Sequence, residues 1–151
     1  MDNPLREIYQ QVILDHNKSP QNFRVIENPT NYSEGFNPLC GDHIHIYMNI
    51  VDGKVEDISF QGNGCAISKS SASIMTTIIK GKSREDAEKY FQKFHDMVTG
   101  VETTPEEEES LGKLLVFQGV REFPARVKCA SLAWHTMHSA IEGKETTIST
   151  E

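Results

Sequence analysis

The stretch Cys40-Gly41-Asp42 places a thiol and a carboxylate two residues apart, with a glycine between them. A tight turn would account for the glycine and the aspartate, but it would leave the cysteine unexplained. Thiolates and carboxylates are both ligands for a divalent metal ion such as zinc. The stretch therefore predicts a metal or sulfur site, provided that other parts of the chain supply further ligands.

The chain has three cysteines, Cys40, Cys65 and Cys129, and none of them forms a CxxC pair. An odd number of cysteines in a reducing compartment argues against a disulfide framework. The N-terminus lacks the layout of a secretory signal, so a cytoplasmic location is expected. Isolated cysteines are most often small core residues, and only their surroundings can argue for chemistry.

The surroundings of the three cysteines do argue for chemistry. Cys40 precedes Gly41 at the edge of a predicted strand. Cys65 lies at the predicted first turn of a helix, where the helix dipole stabilises a thiolate. Cys129 follows two basic residues near the start of another predicted helix. All three cysteines are thus expected at element boundaries, where reactive or metal-binding thiolates are found.

A tetrahedral zinc site needs four donors, and three thiolates leave one place to fill. Asp42 is the nearest candidate in sequence, although an Asx turn at a strand start explains it about equally well. His43 and His45 are alternative donors, but a solvent-facing role is favoured because they alternate with isoleucines. Three thiolates and a carboxylate would leave an excess of negative charge around zinc. Arg126 and Lys128 are candidates to offset that charge.

Composition excludes several classes of function. The chain has 151 residues, of which 37% are hydrophobic and 25% charged, as expected for one folded domain over residues 1–151. The formal net charge of −7 argues against binding to nucleic acids or anionic membranes, which requires clustered basic residues. No apolar run approaches the ~20 residues that cross a bilayer, so no membrane association is expected.

The periodicity of apolar residues predicts an N-terminal helix, then a hairpin. A helix beginning after Asn3 would bury Leu5, Ile8, Tyr9, Val12 and Ile13 on one face. Residues 21–38 show little periodicity and predict an extended connection. The alternation of residues 43–50, the turn signal Asp52-Gly53 and the return through residues 58–60 predict an antiparallel hairpin.

The second half of the chain predicts helices. One runs from Cys65 to a stop at Gly81, and others begin after the capping residues Ser83 and Thr104. The last helix, around residues 124–144, has a buried stripe of Val127, Ala130, Trp134, Met137 and Ile141. Residues 144–151 are predicted to fray. These elements predict an α+β fold, in which a small antiparallel sheet packs against several helices.

Three ordered motifs resemble the IscU/NifU-type family of iron–sulfur assembly proteins. They are PLCGD at residues 38–42, GCAIS at residues 64–68 and the third cysteine on a late helix. The segment with ILDH at residues 13–16 also resembles the first helix of that family. Lys128 occupies the position where the scaffold branch has histidine, and the long stretch between Cys65 and Cys129 resembles the SufU branch.

The resemblance implies a zinc ion bound by Cys40, Asp42, Cys65 and Cys129. It also implies that the protein accepts sulfur from a SufS-type cysteine desulfurase and passes it to downstream iron–sulfur assembly proteins. Pyridoxal phosphate would belong to the desulfurase. Arg126, in the F-P-x-R-x-K-C motif, is implied to support activity or docking.

A sulfur acceptor needs an ionised and accessible thiolate. We expect docking of the desulfurase to free Cys40 for attack, because Gly41 gives its loop mobility while helices anchor Cys65 and Cys129. Two alternatives remain open at the level of sequence. One is a scaffold on which the same thiolates hold a transient [2Fe–2S] cluster, and the other is a structural zinc module without chemistry.

Overall fold

The structure is a computed structural model that describes the backbone of residues 4–143 and 147–149 and the side chains of residues 7–143. The helices of the described residues are α1 (Pro4–Lys18), α2 (Ala66–Ile79), α3 (Arg84–Thr99), α4 (Pro105–Leu111) and α5 (Pro124–Ile141), with a 3₁₀ segment at Gly112–Glu122. The strands are β1 (Asn31–Asn37), β2 (Asp42–Val51), β3 (Lys54–Asn63) and β4 (Thr147–Ser149). They form one sheet in the order β3-β2-β1-β4.

The predicted hairpin is confirmed as β2 and β3, which pair in antiparallel orientation. Its two-residue turn has Asp52 at φ 52° and Gly53 at φ 76°. Positive φ at both central residues is typical of the turns that match the twist of a hairpin. Ile44, Ile46 and Met48 are buried, as their alternation predicts. Strand β2 therefore has one face in the core and one facing outward.

Strand β1 corrects the prediction of an extended connection over residues 21–38. Residues 31–37 pair along their whole length with β2 in antiparallel orientation. The residues of β1 that face the core are Ser33, Gly35 and Asn37, all of them buried. Because these residues are small or polar, the strand lacks the hydrophobic alternation by which a half-buried strand is recognised.

The C-terminal segment also differs from its prediction. Residues 147–149 form β4, which pairs in parallel with residues 34–36 of β1, whereas residues 144–151 were predicted to fray. The backbone of β1 would otherwise leave a row of unpaired donors and acceptors at the sheet edge. The rest of the predicted tail, residues 144–146 and 150–151, lies outside the described residues.

The helix starts predicted from capping residues are confirmed for α3 and α4. Ser83 and Thr104 accept hydrogen bonds from backbone N–H groups in the first turns. Helix α1 is confirmed, but Ile8 is 59% exposed and was wrongly placed in the buried stripe. Tyr9, Val12 and Ile13 pack against the core from one narrow face, because α1 lies at the surface against α2 and the 3₁₀ segment. The predicted cap Asn3 and the Leu5 side chain lie outside the described part.

Helix α5 is the central helix of the fold. The predicted stripe is confirmed, with Ala130, Trp134, Met137 and Ile141 buried and Val127 packed against the core at its edge. The Trp134 ring stacks on Phe94 of α3 at a centroid distance of 4.7 Å. Since α5 packs on the inner face of β1 and β2 and against α2 and α3, it joins the sheet to the helices. The predicted α+β class is confirmed, and no helix of the described residues is long and apolar enough to span a membrane.

The contact between α5 and β1 is unusually close. A Cβ atom placed on Gly35 would lie 2.0 Å from Thr136 Oγ1 and 3.1 Å from Leu132 Cδ1. Thr136 is itself buried, and its hydroxyl donates to the Leu132 carbonyl at 2.7 Å. The absence of a side chain at residue 35 therefore sets the distance between the helix and the sheet.

We expect Gly35→Ala to lower the free energy of unfolding by about 1–3 kcal/mol or more, because the added methyl group has no space in a packed contact. Urea denaturation followed by circular dichroism measures the change. Gly119→Ala is the matched control, since nothing lies within 4 Å of a Cβ added there. An unfolding free energy of Gly35→Ala equal to that of the control would contradict the predicted close packing.

Candidate metal centre

The four residues predicted to bind metal come from three places in the fold. Cys40 lies in the turn that joins β1 to β2. Gly41 has a φ of 74°, and its N–H donates to the Asn37 carbonyl at 2.9 Å. A positive φ at this position favours glycine. The turn thus holds the Cys40 side chain at the surface, and Cys40 is the exposed member of the three cysteines.

Asp42 is the first residue of β2, and its side chain points into the core, where it is fully buried. Its Oδ1 atom accepts a hydrogen bond from the backbone N–H of Cys65 at 2.9 Å. Its Oδ2 atom accepts one from the side-chain amide of Asn37 at 3.2 Å. These two bonds fix the carboxylate between the end of the sheet and the start of α2.

Cys65 is the N-cap of α2, as predicted from the sequence. Its sulfur accepts a hydrogen bond from the Ser68 N–H at 3.4 Å, and its side chain is half-buried. The preceding Gly64 permits the close approach of the sheet, since a Cβ there would lie 2.9 Å from Asp42 Oδ1.

Cys129 lies in the second turn of α5, near the helix start as predicted, but it is buried within the helix and not exposed at the element boundary. Its thiol donates to the Cys40 sulfur at 3.3 Å and accepts from the Asn37 amide at 3.5 Å. Burial raises the pKa of the Cys129 thiol, and hydrogen bonds to Cys40, Asp42 and Cys65 raise it further. Without a cation beside it, Cys129 is therefore a neutral thiol at neutral pH.

The fold thus brings these residues, remote in sequence, together. The ligand atoms of Cys40, Asp42 and Cys129 all lie within 4.8 Å of one another. The Cys65 sulfur is not one of these mutually close atoms. Cys65 is joined to the group through its backbone N–H, which donates to the Asp42 carboxylate. That these residues bind a metal stays a prediction.

The donor set fits a zinc ion. Asp42 is a buried carboxylate, and among the ion pairs of the described residues none joins it to a lysine or arginine. A buried carboxylate is costly unless a cation or hydrogen bonds compensate it. Three sulfur atoms and one carboxylate are a ligand set that zinc accepts and that magnesium or calcium does not prefer.

The basic residues predicted to offset the charge are near the centre in sequence but do not form ion pairs. Arg126 is exposed, and its guanidinium lies 4.8 Å from the centroid of the Phe123 ring. Lys128 is half-buried. Within the part of the chain that the structure describes, no ion pair with an acidic side chain involves either residue.

The two alternative histidine donors lie on the opposite face of β2 from Asp42, as the alternation predicts. His43 and His45 are partly exposed, and the Glu34 carboxylate of β1 lies 2.8 Å and 3.7 Å from their ring nitrogens. Burial, followed by the charge of His43, lowers the pKa of His45. Neither histidine shares a face with the thiols.

Sequence reasoning missed Asn37, which donates from one amide group to both Asp42 and Cys129. It also missed Glu34. Both residues lie on β1, the strand that the hydrophobic pattern does not reveal. Only the pairing of β1 with β2 in the structure places them at the two clusters, because Asn37 pairs with Asp42 and Glu34 with His45.

Comparison with known proteins gives consistent similarities over almost the whole chain. The NifU-like N-terminal domain profile matches residues 8–142. The chain is 42% identical over 141 residues to the zinc-dependent sulfurtransferase SufU of Bacillus subtilis, covering 93% of this chain and 94% of the relative. It is 38% identical over 138 residues to the iron–sulfur cluster assembly scaffold protein IscU of Streptococcus pyogenes, covering 91% and 85%.

Two solved structures have a closely similar fold. A crystal structure from Fervidobacterium islandicum, described as a candidate iron–sulfur cluster assembly scaffold protein for the SUF system, superposes with a TM-score of 0.83. The two sequences are 34% identical, and the match covers 90% of this chain and 98% of the other. A NifU-like N-terminal protein from Brucella abortus, at 21% identity, has the same fold with a TM-score of 0.82.

The burial of the three thiols predicts the order in which they react. With a chelator present, we expect iodoacetamide to alkylate Cys40 first and Cys129 last, at rates that differ by at least about tenfold, because the exposed thiol reacts before a buried neutral one. The raised pKa of Cys129 delays its reaction to alkaline pH. Peptide mass spectrometry measures the three rates, and equal rates for Cys40 and Cys129 in the folded chain would refute the predicted order.

Proposed function

The chain belongs to the NifU-like N-terminal domain family, and from that premise we propose that it is a zinc-dependent sulfur acceptor in iron–sulfur cluster assembly. Its place among iron–sulfur cluster assembly proteins of the IscU/SufU type rests on the family and on relatives that match nearly the whole chain. The observation that carries the finer proposal is the convergence of Cys40, Asp42 and Cys129, with Cys65 bonded to the same carboxylate.

Cys40, Asp42, Cys65 and Cys129 would hold the zinc ion. When bound, zinc supplies the positive charge that keeps the thiols ionised at neutral pH. Asn37 and the Cys65 N–H hold the Asp42 carboxylate in place from two sides. Cys129 is buried on the inner side of the centre, and Cys40, in the turn at Gly41, is exposed on its outer side.

Cys40 is the proposed acceptor because it is the exposed thiol and lies in a turn, whereas Cys65 and Cys129 lie on helices. Its thiolate attacks the outer sulfur of a persulfide on the donor enzyme. A sulfur–sulfur bond forms at Cys40, the bond within the donor persulfide breaks, and the donor cysteine leaves as a thiolate. The donor is proposed to be a SufS-type cysteine desulfurase, with pyridoxal phosphate on that partner.

A groove beside the centre supports docking of such a partner. It has a volume of about 680 Å³ and is lined in part by Tyr9, Ile13, Ile67, Val120, Phe123 and Arg126. Ile67 follows Cys65 by two residues and Arg126 precedes Cys129 by three, so the groove and the thiols share two helix starts. Phe123 is 49% exposed, and Arg126 packs over its ring. Arg126 is therefore the proposed docking residue.

The second candidate function is a scaffold that holds a transient [2Fe–2S] cluster as its cargo. The IscU relative from Streptococcus pyogenes favours this reading. Lys128, which replaces the histidine of the scaffold branch, favours the sulfur acceptor. A purified chain that is colourless and carries one zinc supports the acceptor, whereas a brown chain that absorbs visible light supports the scaffold.

A cytoplasmic location stays a prediction.

We expect Cys40→Ala to abolish sulfur acceptance without unfolding the chain, since its side chain is exposed and lies in a turn. Incubation with a SufS-type desulfurase and free cysteine, followed by mass spectrometry, detects the addition of one sulfur atom. The unaltered chain without desulfurase is the control for adventitious sulfur.

Arg126→Ala separates docking from acceptance in the same assay. Its sulfur addition should need a higher concentration of desulfurase and reach the same end point, whereas Arg121→Ala should match the unaltered chain.

A Cys40→Ala variant that still gains sulfur at Cys65 or Cys129 as fast as the unaltered chain would reject Cys40 as the acceptor.

We expect Asp42→Ala to retain zinc more weakly, by more than about tenfold in competition with a chelator, because the centre loses a ligand. Glu56→Ala is the matched control, since it removes an exposed carboxylate from the same sheet. Zinc retention by Asp42→Ala equal to that of the control would exclude the carboxylate as a ligand.

A further inference from the structure

The outer face of the sheet carries a second cluster of metal-binding side chains that the thiol centre does not use. Glu34 on β1 is the direct cross-strand neighbour of His45 on β2. His43 lies two residues earlier on β2, and therefore on the same face. The rings of His43 and His45 are 4.6 Å apart between centroids. Two imidazoles and one carboxylate thus point to the same side of the sheet.

The distances between donor atoms are those of a cluster that an ion can join. Glu34 Oε2 lies 2.8 Å from His43 Nε2 and 3.7 Å from His45 Nδ1. One ligand atom from each of the three residues lies within 4.8 Å of the other two. Bonds of about 2.0–2.1 Å in tetrahedral geometry place ligand atoms roughly 3.3 Å apart. Small rotations of these side chains would reach that spacing.

The surroundings hold the histidines in place. The Tyr32 and Tyr47 rings stack beside the His45 ring at centroid distances of 6.0 Å and 6.5 Å. The Tyr32 hydroxyl lies 2.6 Å from His45 Nδ1, the nitrogen nearest Glu34, and this contact gives way when that nitrogen binds an ion. Phe36 lies edge-on to His43 at a centroid distance of 6.0 Å. Side chains that start from paired strands and pack against aromatic rings lose little further freedom when they bind an ion.

Another cluster, Glu88, His138 and Glu142, also brings its ligand atoms within 4.8 Å of one another, but it offers only one imidazole. His138 lies 2.6 Å from Glu88 through Nδ1 and 2.9 Å from Glu142 through Nε2. The two carboxylates therefore contact different nitrogens of one ring. An ion-pair network accounts for that cluster. In Glu34, His43 and His45, by contrast, two separate rings face one carboxylate.

We propose that Glu34, His43 and His45 form a second metal site, which binds a divalent first-row transition metal ion on the outer face of the sheet. Two imidazoles and a carboxylate are a ligand set for zinc, iron, cobalt, nickel or copper, and they leave coordination positions open to solvent. The side chains of His43 and Glu34 are 43% and 31% exposed, so the ion exchanges with solution. The site is separate from the thiol centre, because His43 points to the outer face of the sheet whereas Asp42 points to the inner face.

Cobalt(II) added to the full chain tests this site, because it reports its ligands by absorption. Cobalt bound to thiolates gives strong charge-transfer absorption in the near ultraviolet, whereas cobalt bound to imidazole and carboxylate does not. We expect equilibrium dialysis to find one more bound cobalt per chain than the thiolate absorption accounts for. This excess is measured independently of whether the thiol centre also binds cobalt.

Variants assign the additional cobalt. We expect His43→Ala, His45→Ala and Glu34→Gln each to weaken its binding by at least about tenfold while leaving the thiolate absorption unchanged. Even the loss of a residue that only hydrogen-bonds to a metal ligand lowers metal affinity about 10–100-fold, so the loss of a ligand should cost at least as much. His95→Ala and Glu56→Gln are the matched controls, and they should bind as the unaltered chain does. Circular dichroism establishes that each variant is folded.

Two results would overturn the proposal. One is an unaltered chain whose bound cobalt is fully accounted for by the thiolate absorption. The other is an additional cobalt that binds equally well to the three cluster variants and to the two controls, which would assign it to other surface groups.

Discussion

The close packing of α5 on the inner face of the sheet is the constraint on which the thiol centre depends. Gly35 leaves no space for a side chain beside Thr136, and this contact sets the distance between helix and strand. Because the helix lies so close, Cys129 in its second turn reaches the Cys40 sulfur across the end of the sheet, at 3.3 Å. The buried Asp42 carboxylate then ties this end of the sheet to α2 through the Cys65 N–H.

The three thiols differ in their surroundings although they lie together. Cys129 is buried in a helix, Cys65 caps a helix, and Cys40 lies in an exposed turn. Such a gradient of exposure separates the two tasks of the proposed function. The inner thiols and the carboxylate suit binding of an ion, whereas the outer thiol suits reaction with a sulfur donor. A centre with three equally buried thiols would bind metal but would be closed to a partner.

Strand β2 supplies polar ligands to both faces of the sheet. Asp42 faces inward to the thiols, and His43, the next residue, faces outward to Glu34 and His45. Side chains alternate along a strand, so two neighbouring residues necessarily belong to different environments. The two clusters are therefore adjacent in sequence but lie on opposite faces, and each depends on β1 for a partner: Asn37 on the inner face and Glu34 on the outer one.

Local patterns in the sequence determined much of this protein. The alternation in β2 and β3, the Asp52-Gly53 turn, the caps Ser83 and Thr104 and the buried stripe of α5 are all recorded in the spacing of residues that lie close together in the chain. For that reason they could be predicted. The motifs around the three cysteines were likewise sufficient to indicate the family.

Only the tertiary structure decided which residues complete the two clusters and how deeply each thiol lies. Strand β1 has small and polar inward residues because α5 occupies the space that larger side chains would fill, and a local pattern does not report a distant helix. The roles of Asn37 and Glu34 remained hidden with that strand. The burial of Cys129 likewise did not follow from the sequence, since burial depends on what packs around a helix turn and not on its distance from the helix start.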